Sequence, residues 1–329
     1  SLEGLEALEQ VGGGLNIIIN PSLATINNLA QLGSVGEIDV GNRDTYLVVY
    51  GNEQLAEVVG FESLTYGHLS IHDNHQLEQV AFHAPAHDEH QVGLHISNNE
   101  GLRSISWQGS TEITHMRADA LDILARNVES ITLDPRIAVI GTLELWLPMT
   151  MRELGFLKEV EKLDGQRYRE SIDPVGLYDG PVPSKVGSYS KDAQNTPISL
   201  RGLENLKSGH LNLYGAFRDF SHLESLETFS LGIAQSPYTD LSIISPVIEK
   251  AAQGTEIDFR LFENDYLDDI GELFTLPSDS SSSFEFFDNP SLPQCQIDAL
   301  GEHLQIHDED PEETRHFQAS GNNTEVSCD

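Results

Sequence analysis

Leu69-Ser70-Ile71-His72-Asp73-Asn74-His75-Gln76-Leu77 is the stretch that decides the fold. Leu69 and Ile71 alternate with polar residues, the period of a strand with one face buried. Asn74 then turns the chain, because its side chain satisfies backbone groups in a bend and tolerates left-handed conformations. Leu77, three positions on, re-enters the core. The same frame recurs as LVVYGNEQL (47–55), LHISNNEGL (94–102), FRLFENDYL (259–267) and FEFFDNPSL (284–292). LNIIINPSL (15–23) is a sixth copy, with Ile19 where the others carry a small or polar residue.

Asn52, Asn74 and Asn99 are 22 and 25 residues apart, and Asn264 and Asn289 are 25 apart. These are one-coil lengths for a leucine-rich or β-helical solenoid. Stacking then places Asn20, Asn52, Asn74 and Asn99 one above another, and Asn264 above Asn289, as a structural ladder of amides bonded to neighbouring backbone. One coil cannot bury its own apolar face, so the repeats hold each other, at ~1.5–3 kcal/mol per large buried side chain. Connecting segments such as LEGLEALEQVGGG (2–14) send Leu and Val back to the core and bend at glycine. Gly12-Gly13-Gly14 precedes a strand rather than a helix, so it reads as a turn and not a phosphate loop.

LEGLEALEQVGGGLNIIINPSL (2–23), LAQLGSVGEIDV (29–40) and LRGLENLKSGHLNLYG (200–215) resemble the receptor L-domain, the single-stranded right-handed β-helix of growth-factor receptor ectodomains. They are more similar still to bacterial and fungal surface proteins with the same leucine-rich coils. FFDNPSLPQCQIDAL (286–300), with Cys328 near the end, resembles the closing coil of the bacterial members. The resemblance covers 1–110 and 198–300, and 111–197 departs from it. It implies a mainly β, right-handed solenoid with a C-terminal capping helix, acting as a partner-binding ectodomain. No catalytic residue transfers.

The organisation follows. Residues 1–157 form a first solenoid half, with β segments at Ile131–Leu133 and Val139–Leu147 and a short helix at Leu121–Ala125. Residues 158–197 are an irregular excursion or linker, 198–292 a second half, and 293–329 a cap. In the cap, Pro293 starts a helix whose Ile297, Leu300 and Leu304 share one face, laid over the open sheet edge. Cys295 and Cys328, the only two cysteines, flank this segment. They read as a disulfide in an oxidising compartment, with two buried free thiols as the alternative.

Lys+Arg number 18 against 53 Asp+Glu, a net charge of −35. Such a chain repels nucleic acid and anionic lipid, and no stretch approaches the ~18 apolar residues of a membrane span. Against this background the 158–197 stretch stands out. Lys158, Lys162, Arg167, Arg169, Lys185 and Lys191 are six of the 18 basic residues. A long loop on a rigid scaffold is where binding residues gather, so these six are the candidate site, for an acidic partner or the acidic flank of another copy. The bland reading is cations paired with nearby carboxylates.

No cofactor is expected. His68, His72, His75, His83, His87, His90 and His95 cluster, which suggests Zn²⁺ or Cu²⁺, yet His87 and His90 read as a polar loop without a helical i, i+4 frame, and His68, His72 and His95 as outward or turn positions of different strands. The acidic run Asn264–Asp269 suggests Ca²⁺ without any EF-hand spacing. Asn322-Asn323-Thr324 is a glycosylation sequon. GxSxG, HExxH and P-loop motifs do not occur. The expected protein is a non-enzymatic recognition protein, extracellular, on the cell surface or periplasmic, with its leader or anchor upstream and a protein or glycan as partner. The alternatives are a self-assembling surface protein and, third, a polysaccharide-acting enzyme.

Overall fold

The computed structural model describes residues 2–36, 46–64, 67–83, 92–108, 116–124, 127–147, 151, 153–163, 184–188, 197–306 and 317–326. Among them, thirteen parallel strands form one long main sheet, running in chain order from Leu15–Ile18 to Phe317–Ser320. Thr25–Ile26, Glu57–Gly60, Gln79–His83, Ser104–Gln108 and Ser130–Leu133 form a second parallel sheet, also in chain order. Up to residue 133 the chain therefore visits each sheet once per repeat.

The core is made of columns of like residues in register. Ile17, Val49, Ile71, Ile96, Ile123 and Leu145 occupy one inward column of the main sheet, continued by Val186, Leu213, Ile233, Leu261 and Phe286. All are buried. Leu94 and Leu69 lie in the neighbouring column, which turns aromatic at Phe259, Phe284 and Phe317. Period-two alternation puts these side chains inside, and parallel pairing stacks each on its counterpart. Apolar triplets such as Leu200, Leu203 and Leu206 make i→i+3 backbone bonds that bend the chain between layers.

After residue 133 the second layer changes character. It continues as short helical segments: Gly155–Leu157, Phe220–His222, Ser245–Ala252, Gly271–Thr275 and Gln294–Leu304. The last begins after Pro293 and buries Ile297, Leu300 and Leu304, as their spacing predicts. It lies beside Gly271–Thr275 in this layer. The main sheet's final position belongs instead to Phe317–Ser320, which pairs with Phe284–Phe287.

Of the segment expected as a helix at Leu121–Ala125, Leu121–Leu124 lie in a nine-residue strand, Met116–Leu124, and Ala125 lies outside the described residues. Leu121 and Ile123 are both buried, a period of two, and pairing on both flanks overrides the helical leaning of its Ala and Leu. The sheet also runs through the supposed linker. Lys162–Leu163 pairs with Val139–Ile140 on one side and Ser208–Gly209 on the other. Ser184–Ser188 pairs with the same two neighbours, with Ser184 opposite Leu211. The two pieces thus share one strand position, and only the place opposite His210 separates Leu163 from Ser184.

Candidate functional site

The asparagine frame builds corners. Asn74 Oδ1 accepts from the Asn52 backbone N–H at 2.9 Å and from Asn52 Nδ2 at 3.1 Å. Asn74 Nδ2 donates to the carbonyls of Val49 and His72. The same pattern links Asn20 to Asn52, Asn74 to Asn99, and Asn264 to Asn289. Asn52, Asn74, Asn264 and Asn289 are fully buried, so every lone pair and proton on these amides has structural work. The left-handed residue is the one before the asparagine: Gly51, Asp73, Asn98, Glu263, Asp288 and Gly321 all have positive φ, and no ladder asparagine does. That explains the small or polar residue in the frame, and it marks Ile19, at φ 51, as a β-branched residue in a costly conformation.

Two ladder members escaped the sequence reading. Ser236 takes the asparagine's place after Thr228–Ala234 and donates to Asn264 Oδ1 through both N and Oγ. Asn322 Oδ1 accepts from Asn289, and Asn322 Nδ2 donates to Phe286 O at 3.1 Å. FQASGN (317–322) carries the frame up to its asparagine and lacks only the later Leu, so the signal was present. The sequon's acceptor nitrogen is therefore a ladder donor.

The six basic residues do not form one cluster. Lys158 is exposed in the turn after Gly155–Leu157, 3.9 Å from Glu159. Lys162 and Lys185 lie on two pieces that occupy the same strand place in the main sheet, Lys162 opposite Ser208 and Lys185 opposite Asn212. Arg167, Arg169 and Lys191 lie outside the described residues, as do His87, His90 and Cys328. Cys295 Sγ is 3.5 Å from the Val326 carbonyl, so the segment leading to Cys328 runs beside it. His68 and His95 sit on diagonal outward positions of adjacent strands, and His72 stacks on Tyr50 at 4.7 Å. Among the described residues no three His, Cys, Asp or Glu are grouped to hold a metal ion.

A different constellation emerges around Lys185, on the outward face of the main sheet. Glu144, Lys185, Asn212, Gly232, Arg260 and Glu285 follow one another in register across six strands. Two residues further along the same strands lie Trp146, Gly187, Tyr214, Ala234, Phe262 and Phe287. Aromatic and small residues alternate from Trp146 to Phe262, so each ring has room to lean over its small neighbour. Trp146 and Tyr214 have ring centroids 5.5 Å apart at 45°, and Tyr214 and Phe262 are 5.8 Å apart at 78°. All three rings stay half-buried, while Ala234, in register between Tyr214 and Phe262, is fully buried.

The polar row is tied to the aromatic one. Trp146 Nε1 donates to Glu144 Oε1 at 2.9 Å. Arg260 approaches Glu285 at 3.4 Å, and its buried Nε has no partner among the described residues. Gly232 is required here, because a Cβ would lie 1.9 Å from Asn212 Oδ1 and 3.1 Å from the Phe262 ring. Burial first, then the charge of Glu263, raises the Tyr214 hydroxyl above its usual range. Burial and then Arg260 hold His210, on the adjoining outward row, below the usual histidine value, with Asp258 opposing. Both groups are thus biased toward their neutral, hydrogen-bonding forms.

Compared with known proteins, the chain matches no family model, no curated protein and no solved structure. No helix among the described residues is long and apolar enough to cross a membrane.

Proposed function

We propose that this chain is a right-handed β-solenoid of L-domain type that recognises a partner outside the cytoplasm without transforming it, through the outward face of the main sheet from Ile137–Leu147 to Phe284–Phe287. The observation that carries the reading is the aromatic and small alternation of Trp146, Gly187, Tyr214, Ala234 and Phe262 beside a row of polar residues. Sheet faces turned to water carry polar residues by default, and partly exposed aromatics in a row mark contact surfaces. Lys185 keeps its place in the candidate site, as a member of this face. Glu144 and Glu285, at the two ends of the platform, stand five strand spacings apart, about 24 Å, whereas glycoside hydrolysis places its carboxyls within about 10 Å. The partner is a protein or a glycan.

Parallel arrays of glycans and of immobilised secreted proteins test this, with product analysis on every retained glycan. Retention without product, lost in a folded Tyr214→Ala variant, is the expected result. A released product, or retention indifferent to that substitution, overturns it. Self-assembly is the second reading, favoured by Ile18 and Ile19, 40% and 67% exposed on the first strand of the main sheet and just beyond it. Size-exclusion chromatography across a salt series separates it: a salt-promoted rise in mass, abolished by Ile18→Lys, supports assembly.

A further inference from the structure

Resting on the second, self-assembly reading, we propose that the two ends of the main sheet fit each other, so that copies of this chain join head to tail into an open filament. Phe317–Ser320 of one copy pairs in parallel with Leu15–Ile18 of the next. The ladder supplies the first argument, because its bonds have a direction. Asn52, Asn74, Asn99, Asn264, Asn289 and Asn322 each accept through Oδ1 from the rung before. Asn20 is exposed, and its Oδ1 accepts from nothing among the described residues. At the other end the Asn322 N–H has no acceptor among the described residues. One end thus lacks a donor and the other lacks an acceptor.

In the register of the interior rungs, Asn322 N–H of one copy meets Asn20 Oδ1 of the next. Asn20 Nδ2 then meets the Ala319 carbonyl, three residues before the rung, as Asn74 Nδ2 meets Val49 O three before Asn52. Two copies joined through their Leu15–Ile18 edges would leave both acceptors unfilled. The ladder therefore selects a head-to-tail contact over a two-fold one, and such a contact propagates instead of closing.

The second argument is the state of the edges. Leu15–Ile18 pairs only with Tyr46–Tyr50, and Phe317–Ser320 only with Phe284–Phe287. The columns that begin at Leu15 and Ile17 end at Phe317 and Ala319, so apolar positions meet in register. Open edges are usually blunted by charge or proline, since a bare row of N–H and C=O groups is a template for another strand. Neither LNII (15–18) nor FQAS (317–320) carries either device.

The third argument is what a docked copy covers. Ile18 and Ile19 are exposed, and Leu8 is half-buried where Leu32, in the next coil, is fully buried. Ile19 already leans over Gly51, whose Cβ would lie 3.4 Å from Ile19 Cγ1. Gly321 holds the equivalent place in the last corner and sends no side chain across the junction. The net charge of −35 opposes the contact until salt screens it.

Sedimentation velocity and light scattering on the non-reduced full chain, across concentration and salt, test this. The mass is expected to climb with concentration through dimer and trimer without stopping at two, and more steeply at high salt. Ile18→Lys blocks one end and Ala319→Lys the other. Both positions are exposed, so each variant should melt with the parent. Each alone should need at least about tenfold more protein to reach half-assembly. Mixed in equal amounts, the two offer one intact end each and should give a dimer and nothing larger. A monomer at every concentration and salt overturns the proposal without reference to any variant. So does a parent that stops at the dimer, or a mixture that stays monomeric. Assembly indifferent to Ala319→Lys also overturns it, and leaves self-assembly standing through another surface. None of these results bears on the recognition tested with Tyr214→Ala.

Discussion

The stretch from Asn52 to Gln108 and the stretch from Ser236 to Asn322 share one main sheet and one kind of corner, yet differ in what stands opposite. In the first, repeats of 22 and 25 residues return through strands of the second sheet, Glu57–Gly60, Gln79–His83 and Ser104–Gln108. In the second, repeats of 28, 25 and 33 residues return through Ser245–Ala252, Gly271–Thr275 and Gln294–Leu304. Length alone does not decide, since 25 residues serve both. The apolar period does: Ile105 and Trp107 are buried two apart, while Ile270, Leu273 and Leu276 are buried three apart. The corner is therefore the conserved mechanical part, and the opposite layer has only to cover an apolar stripe.

That comparison is open to attack at its centre. Asn74→Ala and Asn264→Ala should each cost on the order of 3–5 kcal/mol, because several buried backbone groups lose their partners at once. Urea unfolding that finds one costly and the other nearly neutral would show that the two regions do not share a corner. Next in size, a Cys295–Cys328 disulfide would close a 33-residue loop, worth roughly 3–4 kcal/mol in the chain-entropy model. It should act on the second region alone: reduction is expected to raise amide exchange in Phe317–Ser320 while Gly67–His72 stays protected. Two alkylatable thiols in the non-reduced protein would remove the bond from the account.

Ile19→Gly should stabilise by about 1 kcal/mol, since it relieves the left-handed conformation that Gly51 and Gly321 adopt elsewhere without a Cβ. A destabilised variant would mean that Ile19 contributes packing that outweighs its backbone. The smallest effect concerns His210. Its folded value is lowered relative to the ordinary 6.5, so the unfolded chain binds the proton first as pH falls. Stability from this group is complete above about 6.5 and declines below it, down to the depressed folded value. Melting temperatures of His210→Gln should fall less steeply with acid than those of the parent, and parallel curves would contradict the assignment.

Much of this was legible in the chain. The frame around Asn74 located strands, corners and ladder because one short pattern encodes all three, and Ile297, Leu300 and Leu304 announced their helix by spacing alone. The outward aromatic row was not legible. Trp146, Tyr214 and Phe262 are 68 and 48 residues apart in sequence, and nothing local says which strands become next-but-one neighbours. Their adjacency depends on Lys162–Leu163 and Ser184–Ser188 sharing one position, which the Pro, Gly and Lys of 158–197 concealed. The basic residues were legible as a composition but not as a place, for the same reason.

That shared position has a consequence for how the molecule tolerates change. Leu163 and Ser184 face Gly209 and Leu211, so the two flanking pieces end and begin one residue apart along Ser208–Tyr214. Chain closure across so narrow a mouth hardly depends on what is carried, because doubling a loop's length costs only about 0.6 kcal/mol. Replacement of residues 164–183 by a single glycine or by a foreign peptide is therefore expected to leave Lys162–Leu163 and Ser184–Ser188 seated in the sheet, with unchanged amide protection in both as the check.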